Sequence, residues 1–145
     1  MTRGDLVADK AEEWIDVPFK WQGRVRSGCD CKGLPAGIAK ELNFPEADSI
    51  YALAGDYIEG KVPIGRLLSG LKELFDKIPV SERQRGDLLL CKFGGAPQHL
   101  AIYAPKDGKP NRAIEAMPFG PWKVRPAYWP EHRIDSCWRW RNASP

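Results

Sequence analysis

The sequence predicts an α+β fold, with N-terminal helices packed on a central antiparallel β-sheet. Two observations carry this. Apolar residues recur at helical spacing in the first half, and short apolar runs separated by Gly, Pro and Asp turns follow one another from residue 88 onward. Helices first and consecutive strands second is the order of an α+β chain rather than a βαβ alternation. At 145 residues and 16.3 kDa, with no repeat, low-complexity tract or linker, residues 1–145 are expected to form a single domain with a core of its own.

The elements follow in order. Residues 3–16 read as a helix, because Leu6, Val7, Ala11, Trp14 and Ile15 fall near one face, and Pro18 ends it. A glycine-containing basic loop, FKWQGRVRSG, comes next. A second helix is expected from Cys31 to Leu42, capped by Asp30 and closed before Pro45. Pro35 fits only in its first turn, where amides lack intrahelical partners. Residues 43–60 read as irregular. Ile64, Leu67, Leu68, Leu71, Leu74, Phe75 and Ile78 form an i, i+3, i+4, i+7 stripe, which predicts an amphipathic helix over 62–78. Strands are expected over 88–93, 98–104, 112–117, 122–125 and 137–141, with turns at Gly86-Asp87, at Gly94, Gly95 and Pro97, and over 106–110.

Composition narrows the function classes. The formal net charge of +3 permits contact with a polyanion without demanding it. Trp138-Arg139-Trp140-Arg141 mixes cations with aromatics, but in a strand the tryptophans share one face and the arginines the other. That pattern is a buried face and a solvated face, so nucleic acid is not an expected partner. No apolar run approaches the roughly 20 residues of a membrane span. The N-terminal stretch MTRGDLVADKAEEW turns charged before an apolar stretch builds up. The chain is therefore expected to lack a signal peptide and to be made in the cytoplasm.

The chemistry-bearing residues are few. Cys29, Cys31, Cys91, Cys137, His99 and His132 could in principle supply zinc ligands, but a single C-x-C lacks the paired spacing of structural zinc sites. Free thiols and no metal or cofactor are the expectation. In Gly28-Cys29-Asp30-Cys31-Lys32-Gly33-Leu34 the two cysteines point in opposite directions, so only one faces a given cleft. With a helix opening at Cys31, its thiol meets unpaired amides and the positive end of the helix dipole, which favour thiolate. Gly33 would leave room for a substrate. The alternative is a small buried hydrophobe. A thiolate needs a base, and His99 opens a strand after a glycine-rich turn, whereas His132 reads as a solvated loop residue. Antiparallel pairing across the 106–110 turn can bring Glu115 beside His99, where a carboxylate would hold the imidazole tautomer. Otherwise Glu115 is an exposed strand residue.

V-P-F-K-W-Q-G, then G-C-D-C-K-G-L opening a helix, then R-G-D-L-L-L, then Q-H-L-A-I-Y resembles the NlpC family of papain-like cell-wall cysteine peptidases, from about Trp14 to about Glu115. The G-C-D-C form, the compact size and the Trp- and Pro-rich C-terminus look most like the subgroup of phage tails and gene transfer agents. The resemblance implies a papain-like fold, a nucleophile at Cys31, a base at His99, a third polar residue at Glu115, and no metal. It implies cleavage of peptidoglycan stem peptides, often between D-glutamate and diaminopimelate, by a virion component. That component would be carried in a phage-like tail beside hub or tip proteins and would act at the periplasmic cell wall. Asp30, Phe19, Trp21 and Lys32 are the expected substrate-binding residues, with Asp30 placed to bind a free amino group. Three positions depart from the pattern: Phe19 stands where tyrosine is usual, Lys32 where serine is usual, and Glu115 where histidine is usual.

Two other functions fit the same residues. One is a catalytically degenerate structural part of a tail tip or hub. The other is an amidase or acyltransferase using the same thiol, in which the acyl-enzyme passes to water or to an amine.

Overall fold

A computed structural model describes residues 1–53 and 64–141. The first helix, α1 (Arg3–Glu13), opens with a capping box: Thr2 Oγ1 accepts from the Asp5 amide and Asp5 Oδ2 accepts from the Thr2 amide. It buries Val7, Ala8 and Ala11, with Trp14 beyond its end. Leu6, expected on that face, is exposed instead. The basic loop contains a small ribbon, β1 (Arg24–Val25) paired with β2 (Gly28–Cys29). The second helix, α2 (Gly33–Glu41), is buried along nearly its whole length. A short helix, α3 (Ala47–Tyr51), lies within 43–60, a stretch read from sequence as irregular; residues 54–60 lie outside the described residues.

The helix expected over 62–78 is corrected. Residues 62–63 are outside the described residues, α4 runs Ile64–Leu74, and the chain then becomes a strand, β3 (Phe75–Ile78). Pairing overrides the helical period here. β3 lies antiparallel to β8 (Ile134–Trp140) with Phe75 opposite Trp140, and these rings meet edge-on at 5.0 Å. Arg141 donates to the Lys72 and Phe75 carbonyls, covering carbonyls that the end of α4 leaves unpaired.

The remaining strands are β4 (Leu88–Phe93), β5 (Ala96–Tyr103), β6 (Arg112–Ala116) and β7 (Val124–Tyr128). The strand expected over 122–125 starts later, because Trp122 has a positive φ of 53° and closes a turn onto the Phe119 carbonyl. The six-stranded sheet has the order β3-β8-β4-β5-β6-β7, with every neighbouring pair antiparallel. The α+β class is as the sequence predicts. Leu88, Leu90, Leu100, Ile102, Ile114 and Trp138 join the core shared with the helices. Leu89, Ala101, Ala113, Cys137 and Trp129 form a smaller cluster on the opposite face. Among the described residues no helix is long and apolar enough to cross a membrane.

Candidate active site

The turn between β2 and α2 is organised by Asp30. Its buried carboxylate accepts from the amides of Gly33 (2.7 Å) and Lys32 (3.2 Å) through Oδ1, and of Gln22 (2.8 Å) through Oδ2. The first α-type hydrogen bond runs from the Leu34 amide to the Asp30 carbonyl, so Cys31 and Lys32 form the opening turn and α2 proper begins at Gly33. Pro35 thus falls in the first turn of the helix. Gly33 serves the backbone rather than a substrate: a Cβ there would lie 1.7 Å from the Gly23 carbonyl oxygen. This corrects the expectation that it clears space for substrate. The Lys32 and Gly33 amides are taken by Asp30. The Cys31 amide makes no hydrogen bond among the described residues.

The two neighbouring cysteines part as their alternation requires. Cys29 enters the core, where burial and the adjacent Asp30 charge push its thiol up to about 12. Cys31, 8% exposed, lines a cleft of about 280 Å³ whose walls are aromatic and include Phe19, Trp21, Phe93, Phe119 and Trp122. The Lys32 ammonium is buried beside it and donates to Cys31 Sγ at 2.9 Å and to the Gln98 carbonyl at 3.1 Å. Of the four residues expected to touch substrate, Phe19, Trp21 and Lys32 line this cleft. Asp30 does not, and its oxygens are engaged by backbone amides.

His99 on β5 and Glu115 on β6 sit on the same face of neighbouring strands. The observed register, Ile102 opposite Ile114 and Tyr103 opposite Ala113, extends to put them on a diagonal that two long side chains can close. His99 Nε2 lies 3.1 Å from Glu115 Oε1, which leaves Nδ1 as the ring nitrogen available to the Cys31 thiol in the shared cleft. Glu115, 1% exposed, is fixed from three sides. Oε1 also accepts from Trp129 Nε1 at 2.6 Å, and Oε2 lies 3.4 Å from Arg125 Nε. His132 is exposed in a 3-10 turn.

Electrostatics sharpen the distinction among the thiols. Burial pushes Cys31 up, but the Lys32 charge, the His99 hydrogen bond and the His99 charge outweigh it and bring the thiol down to about 7. For His99, burial pushes down, while hydrogen bonds and charge from Cys31 and Glu115 carry it up to about 9. Glu115 is held below the usual carboxylate range despite burial, by His99, Trp129 and Arg125. Burial drives Cys91 and Cys137 upward. All four cysteines are free thiols. Among the described residues no group of three or more His, Cys, Asp or Glu side chains is placed to hold a metal.

Trp129 and Arg125, which hold Glu115, were not among the sequence candidates, nor were the cleft residues Phe93, Gln98, Met117, Phe119 and Trp122. For Phe119, Trp122 and Trp129 the density of aromatics over 117–129 was the one signal. The basic loop is less available than its sequence suggests: Arg26 is forked onto Glu41 and also reaches Glu13, and Arg24 lies over Tyr51 and near Asp48.

Comparison with known proteins gives the frame for this geometry. The model of the NlpC/P60 family matches residues 16–120. Among solved structures, the chain is similar to the NlpC/p60 domain of the peptidoglycan hydrolase SagA (TM-score 0.62, 23% identity, 94% of this chain and 97% of that one). It is also similar to NlpC2 from Trichomonas vaginalis (TM-score 0.66, 15% identity, 96% of this chain and 47% of that one). A third is the P60 domain of an antigen of M. avium subspecies paratuberculosis (TM-score 0.57, 19% identity, 94% and 93%). At these identities the likeness is one of fold. This chain spans about half the length of the Trichomonas protein. No curated protein matches the chain.

Proposed function

The chain belongs to the NlpC/P60 family, and on that premise we propose that it is a cysteine peptidase that hydrolyses peptide bonds in peptidoglycan stems. The observation that carries this reading is that Cys31 and His99 line one cleft, with His99 Nε2 3.1 Å from a buried Glu115 Oε1. The similarity to a domain of a peptidoglycan hydrolase supports the substrate class.

The chemistry follows from where charge develops. The Cys31 thiolate attacks the scissile carbonyl carbon, forming a C–S bond and placing negative charge on the carbonyl oxygen. The Cys31 amide, which makes no hydrogen bond among the described residues, is the donor we assign to that oxygen, an interaction worth about 3 kcal/mol in comparable sites. His99, protonated and held by Glu115, gives its Nδ1 proton to the leaving nitrogen as the C–N bond breaks. Water then attacks the thioester with His99 as base, the C–S bond breaks, and the acid leaves with the thiol restored. Phe19, Trp21 and Lys32 flank the acyl portion, and Asp30 acts through the turn it holds.

In finer detail we read the scissile bond as γ-D-glutamyl–diaminopimelate. We read the setting as a phage-like tail, with tail hub proteins as partners and the periplasmic wall as the place of action. Residues 1–145 act as one peptidase domain. The G-C-D-C segment and the aromatic C-terminal region support this setting. The test is digestion of defined muropeptides followed by mass spectrometry, with Cys31→Ala as control. New termini at one stem bond, absent with the variant, are expected. Equal cleavage by both proteins, or none by either, overturns the proposal, and an amine adduct in place of the free acid identifies an acyltransferase.

A further inference from the structure

Beside the catalytic cleft lies a second cavity, of about 440 Å³, and Phe93 and Met117 line both. Its character differs. The first is walled by aromatics, whereas the second carries two guanidiniums, Arg125 and Arg133, set against Tyr128 and Trp129. The single carboxylate in its lining, Glu115, is already engaged by Trp129 and His99 and meets Arg125 only at 3.4 Å. The Arg133 guanidinium lies 4.9 Å over the Trp129 ring and makes no hydrogen bond or ion pair among the described residues. Two cations against one shared carboxylate leave this cavity positive, and its arginine forks match a carboxylate's geometry.

The position decides which part of a substrate would reach it. His99 hands its proton to the departing nitrogen, so the leaving portion of the peptide lies on the His99 side. Beyond His99 on that face come Glu115 and then Arg125. We propose that this cavity is the subsite for the leaving portion of the substrate, and that Arg133, aided by Arg125, selects a free carboxylate on it. This rests on the peptidase reading above and adds to it a preference for an acidic leaving residue over its carboxamide. No covalent step is involved. A charge-assisted hydrogen bond in a half-open site corresponds to a preference of about tenfold.

The test uses two muropeptides that differ only in whether the leaving residue carries a free carboxylate or a carboxamide, compared by kcat/KM. The wild type is expected to favour the acid by about tenfold. Arg133→Gln should bring the acid-to-amide ratio to about one, and Arg133→Lys should restore part of it, which loss of packing on Trp129 would not do. Equal rates on both substrates with the wild type, or a fall in both with the ratio kept in Arg133→Gln, overturns the subsite. In parallel, the acidic and amidated leaving fragments are titrated calorimetrically into the Cys31→Ala protein, with and without Arg133→Gln. Arg133-dependent preference for the acidic fragment without hydrolysis by the wild type sinks the peptidase reading and keeps the subsite. Hydrolysis without such a preference does the reverse.

Discussion

The Lys32 ammonium sits 2.9 Å from the Cys31 sulfur, and both are withdrawn from solvent. A cation buried against a thiol stabilises the thiolate far more than one in water, because little solvent screens it. Lys32 is therefore the strongest of the influences that lower the Cys31 pKa. Serine, usual at this position in the family the sequence resembles, carries no charge. Lys32→Met keeps the stem's apolar packing and removes the charge. The acid limb of the kcat/KM profile should then move to higher pH, and the rate at pH 7 should fall at least about tenfold. An unmoved limb would assign Lys32 to packing alone.

The Cys31–His99 pair should give a bell-shaped pH profile. Cys31 is an acid with a lowered pKa, so its active thiolate is lost as pH falls through about 7. His99 is a base with a raised pKa, so its proton is lost as pH rises through about 9. The ion pair thus prevails between those values, and kcat/KM on a stem peptide should peak near pH 8. A profile still rising above pH 10 would mean that His99 supplies no proton.

Glu115→Gln preserves the shape and the acceptor for Trp129 while removing the charge beside His99. The alkaline limb should move down from about 9, because one of the influences raising His99 is gone, and kcat should drop about a hundredfold or more. Trp129→Phe, which removes only the donor to Glu115, should show the same direction with a smaller loss.

The turn carrying Cys31 depends on backbone fit. Asp30→Ala leaves the amides of Gln22, Lys32 and Gly33 without their acceptor and should cost about 3 kcal/mol in urea denaturation. Gly33→Ala forces Cβ into the Gly23 carbonyl and should be comparably destabilising. Stability unchanged by either would contradict the clamp.

What could be read from the sequence was local. The i, i+3, i+4 stripe located α4, and Asp30 before Cys31 located the opening of α2, because both signals are written within a few residues. The Glu115 position followed from strand alternation across one short turn. The misreadings share a different cause. Phe75 and Ile78 continue a helical period, yet pairing with β8, more than fifty residues later, makes them a strand. Gly33 looked like room for substrate because its neighbour Gly23 lies across the β1–β2 ribbon. Asp30 was legible as a helix cap, but the Gln22 amide that joins those of Lys32 and Gly33 on its carboxylate comes from a loop that only folding brings there. Trp129 and Arg125 became visible as partners of Glu115 only once β6 and β7 were side by side.

The most direct test of the central claim is competitive alkylation of the native protein at pH 7 with iodoacetamide, mapped by mass spectrometry across Cys29, Cys31, Cys91 and Cys137. Burial holds the other three thiols protonated, and Cys31 alone is lowered into this range. The account predicts that Cys31 is labelled at least about a hundredfold faster than the others, and that His99→Ala slows it markedly. Labelling of Cys31 no faster than of Cys29, or at a rate indifferent to His99, would contradict it.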